Sequence, residues 1–371
     1  MLLKLTILPG DGIGPEVTDE AVRVLQVVAD SFGHQLVLTR KDVGGAALLS
    51  RKDPLPSDTL DACLSSTAVL LGAVGGPAFD DFPAHLRPES GLLKLRRELG
   101  AFANLRPAVC YPALEGCSPL RPEIVRGTSI LIVRELLGGL YFGEPRALDG
   151  PPGNRVATNT MRYGEAEIER IARMAFDLAR SRRSQVTSVD KANVLECSRL
   201  WRDVVTRVSR HYPDIKLTHM YVDSAAMLLV TRPADLDVVL TENLFGDVLS
   251  DQAGGVVGSL GLLASASIGG AVGLYEPVHG SAPDIAGRGI ANPLGAILSS
   301  AMLLRHSLHL EREARCVESA VNQVLAQGNR TQDLARPGQP SISTQEMGAK
   351  VADLVKQIAG ASSLEVREQP A

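Results

Sequence analysis

Two hydrophobic rhythms take turns along this chain. Short runs at residues 3–8, 68–73, 129–134, 185–190 and 237–241 read as strands, and the unbroken apolar run 68–73 as one covered on both faces. Between them lie longer stretches with apolar residues every three or four positions. Residues 16–31 are the clearest, with Val17, Ala21, Val24, Leu25 and Val28 on one helical face. Residues 91–98, 163–183, 192–209, 225–232, 292–309 and 314–327 read as helices on the same ground. Strand and helix alternating almost throughout predicts an α/β fold with a parallel or mixed sheet. The polar clusters concentrate between residues 102 and 257, and the glycine-rich run 254–273 reads as a return crossing. A discontinuous first domain, 1–101 plus 258–371, with 102–257 inserted, is therefore expected. The tail beyond Gly360 is expected to fray.

Length agrees with two domains, because 371 residues exceed what one ordinary core holds. A 45% hydrophobic and 22% charged composition is that of a globular protein. A net charge of −4 argues against a nucleic-acid partner. No apolar run approaches the roughly 20 residues of a membrane helix. The opening residues read as a first strand, not a signal peptide. Five scattered cysteines without Cys-x-x-Cys spacing suit a reducing, cytoplasmic compartment.

Asp247 and Asp251 follow an apolar strand at i and i+4, which puts two carboxylates on one helix face, where a hard cation can be shared. Asp223 would add a third ligand for Mg²⁺ or Mn²⁺. Taken alone, such a pair more often marks a solvated helix face. Arg96, Arg106 and Arg134 offer guanidinium forks that match carboxylates two bonds at a time, and Arg134 ends an apolar strand, where its charge needs a partner. Tyr141, in a glycine-flanked loop, is a residue type able to pass a proton to carbon. Lys191, at a strand's carboxyl end, can act as a base. His279-Gly-Ser-Ala-Pro-Asp-Ile-Ala is a run of small residues that lets backbone approach a flat ligand, with Asp284 able to hold ribose hydroxyls. Gly10-Asp-Gly-Ile-Gly-Pro is not a dinucleotide fingerprint: its spacing is wrong, and a tight turn with Pro15 opening a helix accounts for it.

These segments, in this order, resemble the β-decarboxylating dehydrogenases, the isocitrate/isopropylmalate dehydrogenase family. The likeness runs from Ile7-Leu-Pro-Gly-Asp-Gly-Ile-Gly-Pro-Glu through Phe102-Ala-Asn-Leu-Arg-Pro, Arg134-Glu-Leu-Leu-Gly-Gly-Leu-Tyr, Ser188-Val-Asp-Lys-Ala-Asn, Asp247 to Asp251 and Glu276 to Gly287, ending at Ser343-Thr-Gln-Glu-Met-Gly. It implies a homodimeric two-domain fold that binds NAD without being a Rossmann fold. It makes Asp223, Asp247 and Asp251 the metal ligands, with Asp223 and Lys191 reaching across from a partner subunit. It makes the three arginines a substrate clamp, Lys191 the base for the 2-hydroxyl and Tyr141 the acid. Glu276, His279, Gly280, Ser281, Ala282, Asp284, Ile285 and Asn292 then form the nucleotide site, and Glu89 lies near the nicotinamide. Leu92 and Leu93, with Val194, suit an isopropyl group where isocitrate-type members need a polar residue. Asp284 favours NAD over NADP by repelling a 2′-phosphate. Leu137 departs from the family's usual threonine. Rival readings are a relative acting on tartrate, malate or homoisocitrate, and a silent regulatory subunit, which should have lost some of these polar residues.

Overall fold

The computed structural model describes residues 1–336 and 338–367, with side chains described through residue 361. In chain order the strands are β1 (Leu2–Gly10), β2 (Gln35–Arg40), β3 (Ala68–Ala73), β4 (Ala103–Val109), β5 (Ser129–Glu135), β6 (Ala147–Asp149), β7 (Val156–Thr158), β8 (Gln185–Asp190), β9 (Lys216–Tyr221), β10 (Val238–Thr241), β11 (Ala264–Ile268) and β12 (Gly273–Pro277). The helices are α1 (Gly14–Phe32), α2 (Gly44–Arg51), α3 (Ser57–Leu64), α4 (Pro88–Glu98), α5 (Pro122–Val125), α6 (Glu165–Arg180), α7 (Glu196–Ser209), α8 (Val222–Thr231), α9 (Asn243–Val257), α10 (Leu294–His306), α11 (Glu311–Ala326) and α12 (Thr344–Arg367).

The chain divides into two compact units. The first holds residues 1–101, the segment Tyr111–Cys117, and everything described from Gly258 on. Its strands run β2-β1-β3-β12-β11, parallel except for the β11–β12 pair. That is not the order of a Rossmann sheet. Every residue of β3 is buried, which explains its unbroken apolar run. On α10, Leu294 through Leu304 are all buried, with β11 and β12 against one side and α1 and α11 against others. A helix so covered has no polar face to keep. Tyr111–Cys117, which lies within the stretch expected to be inserted, belongs to this unit. Arg330 and Arg336 donate to the carbonyls of Ala113 and Gly116, and the Cys117 thiol to that of Leu334.

The second unit comprises Phe102–Cys110 and Ser118–Val257. Its strands run β4-β5-β10-β8-β9, with only β4–β5 antiparallel, and β6 and β7 form a separate antiparallel ribbon. The sheets are thus mixed α/β, as the strand and helix alternation predicts. At the far end, α12 passes through Gly360 and ends at Arg367. The last four residues of the expected tail lie outside the described ones.

Candidate functional site

Strand β10 is buried along its whole length and hands the chain directly to α9. Glu242 marks the junction: its carboxylate accepts the backbone N–H of Leu244 at 3.0 Å and of Phe245 at 2.8 Å, which caps the helix start. Asp247 and Asp251 follow on one face of α9. Both take part in a cluster with two arginines. Arg134, at the end of β5 and only 1% exposed, donates through Nη1 to Asp247 Oδ1 at 2.5 Å. Its Nε and Nη2 donate to Asn243 Oδ1 at 3.0 and 2.6 Å. Gly246 permits this approach, because a Cβ there would stand 2.6 Å from Arg134 Cγ. Arg106, from β4, reaches Asp247 Oδ1 and Asp251 Oδ1 at 3.2 Å each and donates to Ser250 Oγ at 2.7 Å. Its Nε is steadied by Asn104 Oδ1 at 2.8 Å.

Tyr141 joins the same group from the short 3₁₀ turn Gly139–Tyr141. Its hydroxyl donates to Asp247 Oδ2 at 2.6 Å, and the Arg134 guanidinium carbon lies 5.4 Å from its ring centroid. Burial, and then the hydrogen bond and charge of Asp247, push its phenol up to about 12, against the opposing pull of Arg134 and Arg106. Tyr141 therefore carries its proton at neutral pH. The Asp251 carboxyl is also raised, first by burial and further by Asp247, while Arg106 works against both.

Lys191 and Asp223 stand apart as a pair. Lys191 Nζ donates to Asp223 Oδ1 at 2.6 Å, which holds the Asp223 carboxyl low. Among the described residues no three His, Cys, Asp or Glu side chains of this one chain converge as a metal site. Val194 is 62% exposed.

In the first unit, α4 carries Glu89, Leu92, Leu93 and Arg96. Arg96 Nη2 donates to Glu276 Oε1 at 2.6 Å with both side chains buried, and Arg96 Nε is buried without a partner. Leu92 packs partly into the core cluster of Leu8, Val43, Leu95 and Leu99, which leaves Leu93 the freer of the two. A cavity of about 480 Å³ lies in the same unit, with His279, Ala282, Ile285 and Asn292 on its wall. Gly280, Ser281 and Asp284 belong to the adjoining loop, with Asp284 exposed. That loop is pinned from below. Ile13 N–H donates to the Ser281 carbonyl at 2.8 Å, and Gly12, at φ +57°, leaves room for it where a Cβ would meet that oxygen at 1.9 Å.

The polar groups on the cavity wall have fixed roles. His279 Nδ1 lies 2.9 Å from the Gly280 carbonyl, which can only accept, so this nitrogen carries the hydrogen. Burial lowers the imidazole's pKa and keeps it neutral. Nε2 is then a buried acceptor without a partner, suited to an exocyclic amine. Asn292 accepts the Leu294 N–H at the start of α10 and donates to Asp333 at 3.0 Å.

Sequence reasoning missed several polar groups. Asp333, on the cavity wall, accepts from Ser259 Oγ at 2.6 Å and from Thr331, yet sits in a coil without periodicity. Asn243 went unremarked because an amide beside two aspartates carries no pattern. Glu135 and Glu242 each end an apolar strand, the signal that singled out Arg134. Glu135, fully buried, accepts Gly138 N–H at 2.7 Å, Leu137 N–H at 3.2 Å and Arg170 Nη2 at 3.3 Å. Burial pushes its carboxyl up to about 7.

Comparison with known proteins agrees across almost the whole chain. The family described as isocitrate/isopropylmalate dehydrogenase matches residues 4–351. The 3-isopropylmalate dehydrogenase of Moorella thermoacetica is 55% identical over 351 residues, 94% of this chain and 98% of that protein. The 3-isopropylmalate dehydrogenase of Halalkalibacterium halodurans is 52% identical over 354 residues, 95% and 98% of the two chains. Among solved structures, isocitrate dehydrogenase from Methylococcus capsulatus superposes with a TM-score of 0.85 at 36% identity, covering 96% of this chain and all of the other.

Proposed function

The chain belongs to the isocitrate/isopropylmalate dehydrogenase family, and on that premise we propose that it oxidises and decarboxylates 3-isopropylmalate to 4-methyl-2-oxopentanoate, with NAD and a divalent cation, in leucine biosynthesis. The observation that carries this reading is the cluster of Arg106, Arg134, Tyr141, Asp247 and Asp251, which combines hard-cation ligands, carboxylate-binding forks and a protonated phenol.

Asp247 and Asp251 offer carboxylate oxygens suited to Mg²⁺ or Mn²⁺, and Asp223 of a second copy completes the set in this reading. The cavity at His279 fits an adenosine, through its neutral ring with a spare acceptor and its apolar wall of Ile13, Ala282 and Ile285. When bound, the cation supplies an electron sink at the C2 oxygen and NAD an acceptor for hydride. The protein's own residues do the rest. Arg106 and Arg134 grip substrate carboxylate through paired N–H bonds, and we assign Arg96, whose Nε lacks a partner, to the same task. Lys191 takes the 2-hydroxyl proton. Tyr141, held protonated, gives a proton to carbon after CO₂ leaves. Leu92, Leu93 and Val194 take the isopropyl group, Glu89 lies beside the nicotinamide, and Asp284 disfavours a 2′-phosphate. A homodimer with shared sites and a reducing cytoplasm complete the reading. The free thiols of Cys63, Cys117, Cys197 and Cys316 support the reducing compartment.

NADH formation with 3-isopropylmalate, malate, tartrate, isocitrate and homoisocitrate, each with and without EDTA, tests this. EDTA-sensitive turnover greatest on 3-isopropylmalate is expected. A preference for another acid would keep the chemistry and discard the leucine pocket.

A further inference from the structure

Asn243 is the first residue of α9, fully buried, with every hydrogen-bonding position of its side chain in use. Oδ1 accepts two bonds from Arg134, at 3.0 Å from Nε and 2.6 Å from Nη2. Nδ2 donates two bonds at 3.0 Å, to the carbonyls of Leu136 and Gly138. The backbone N–H donates to Tyr163 Oη at 3.0 Å. The two sides of this amide thus face two different parts of the reacting cluster. Its oxygen sets the plane of the Arg134 fork, whose remaining Nη1 points at Asp247. Its nitrogen ties down residues 136–138, the segment leading straight into the Gly139–Tyr141 turn, and Tyr141 ends on the other oxygen of Asp247.

We propose that Asn243 is a positioning residue that aligns the carboxylate-binding Arg134 and the proton-donating Tyr141 together, through one buried amide. The proposal rests on the function assigned above to those two residues, but its geometry does not. A buried arginine free to rotate about its long side chain would lose the directionality of a two-bond grip. A loop free to shift by an ångström would misplace the phenol, and displacements of that size cost large factors in rate. Only a primary amide supplies two acceptor directions and two donors from one planar group. Aspartate keeps the acceptors and loses both donors, whereas serine is too short to serve either side fully.

The two substitutions therefore separate the two roles. Asn243→Asp should leave KM for 3-isopropylmalate within about threefold of wild type while kcat falls about tenfold or more, because Arg134 is still held and the loop is not. Asn243→Ser should in addition raise KM about tenfold. Amide hydrogen exchange followed by mass spectrometry gives a readout without substrate: exchange across residues 136–141 should quicken in both variants, while β10 and the later turns of α9 keep their protection. Should one variant not fold, exchange across residues 136–141 in the other decides the matter. Equal changes in kcat and KM in Asn243→Asp, or unaltered exchange in 136–141 in either variant, would overturn the proposal. Wild-type protein silent on every acid tested would refute the assigned function instead, and the exchange data would still judge the role of Asn243.

Discussion

One carboxylate, Asp247, serves three neighbours at once: Arg134 and Arg106 on Oδ1 and the Tyr141 hydroxyl on Oδ2. Its charge is one of the forces holding the phenol up near 12. Replacing it by asparagine removes that charge while leaving burial and both arginines in place. In Asp247→Asn the Tyr141 titration, followed by ultraviolet absorbance against a Tyr141→Phe background, should move down, and metal-dependent turnover should disappear. An unmoved phenol would mean that burial alone sets it. Glu135 gives a second test, on stability. Its carboxyl rises from 4.5 to about 7 through burial, so the folded chain keeps a proton that the unfolded chain releases in between. Stability from this group is greatest below about 4.5 and falls as pH climbs to about 7. Glu135→Gln removes the titration, so wild type should lose roughly 1–3 kcal/mol relative to the variant across that window in urea melts at stepped pH. Parallel pH curves would show that Arg170 and the loop amides compensate for the burial.

At the scale of elements, the N-terminus of α1 organises the loop beside the His279 cavity. Glu16 sits in the first turn and accepts the backbone N–H of Gly289 at 3.1 Å and of Gly287, while Ile13 holds Ser281. The pinned loop carries Ala282, Ile285 and Arg288 on the cavity wall. Glu16→Ala should weaken NADH binding about tenfold by fluorescence titration, through lost preorganisation rather than a lost contact. Unchanged affinity would mean that the loop holds its shape unaided. The same helix was legible from its apolar stripe, as were α6 and α11, because each buries one face and leaves the other wet. Strands β2 and β9 were not. Each has only half-buried and exposed positions and reads as mixed polar chain. Strand β4 hid behind Asn104, Arg106 and Pro107, which interrupt its apolar run. Helix α7 starts at Glu196, four residues later than its pattern suggests, since residues 191–195 turn to present Lys191.

For the whole molecule, what could be read in sequence was charge where charge is expensive: Arg134 at the end of a buried strand, the Asp247 and Asp251 pair behind another. Amides such as Asn243 and coil acids such as Asp333 act through geometry that exists only after folding, so no local pattern announces them. Lys191 and Asp223 pair with each other, while Asp247 and Asp251 pair with arginines. Met227, Val230 and Val248 leave apolar side chains 68%, 38% and 60% exposed on α8 and α9. If Lys191 and Asp223 serve the partner's Asp247 and Asp251, two dead variants should revive each other. Lys191→Met and Asp247→Asn are each expected to be inactive alone. Co-expressed in equal amounts, half of their dimers are mixed. Each mixed dimer joins an intact Lys191 to an intact Asp247 at one of its two sites, so about a quarter of wild-type turnover should return. Were each site built from a single chain, every site would keep one defect, and no mixture would recover activity.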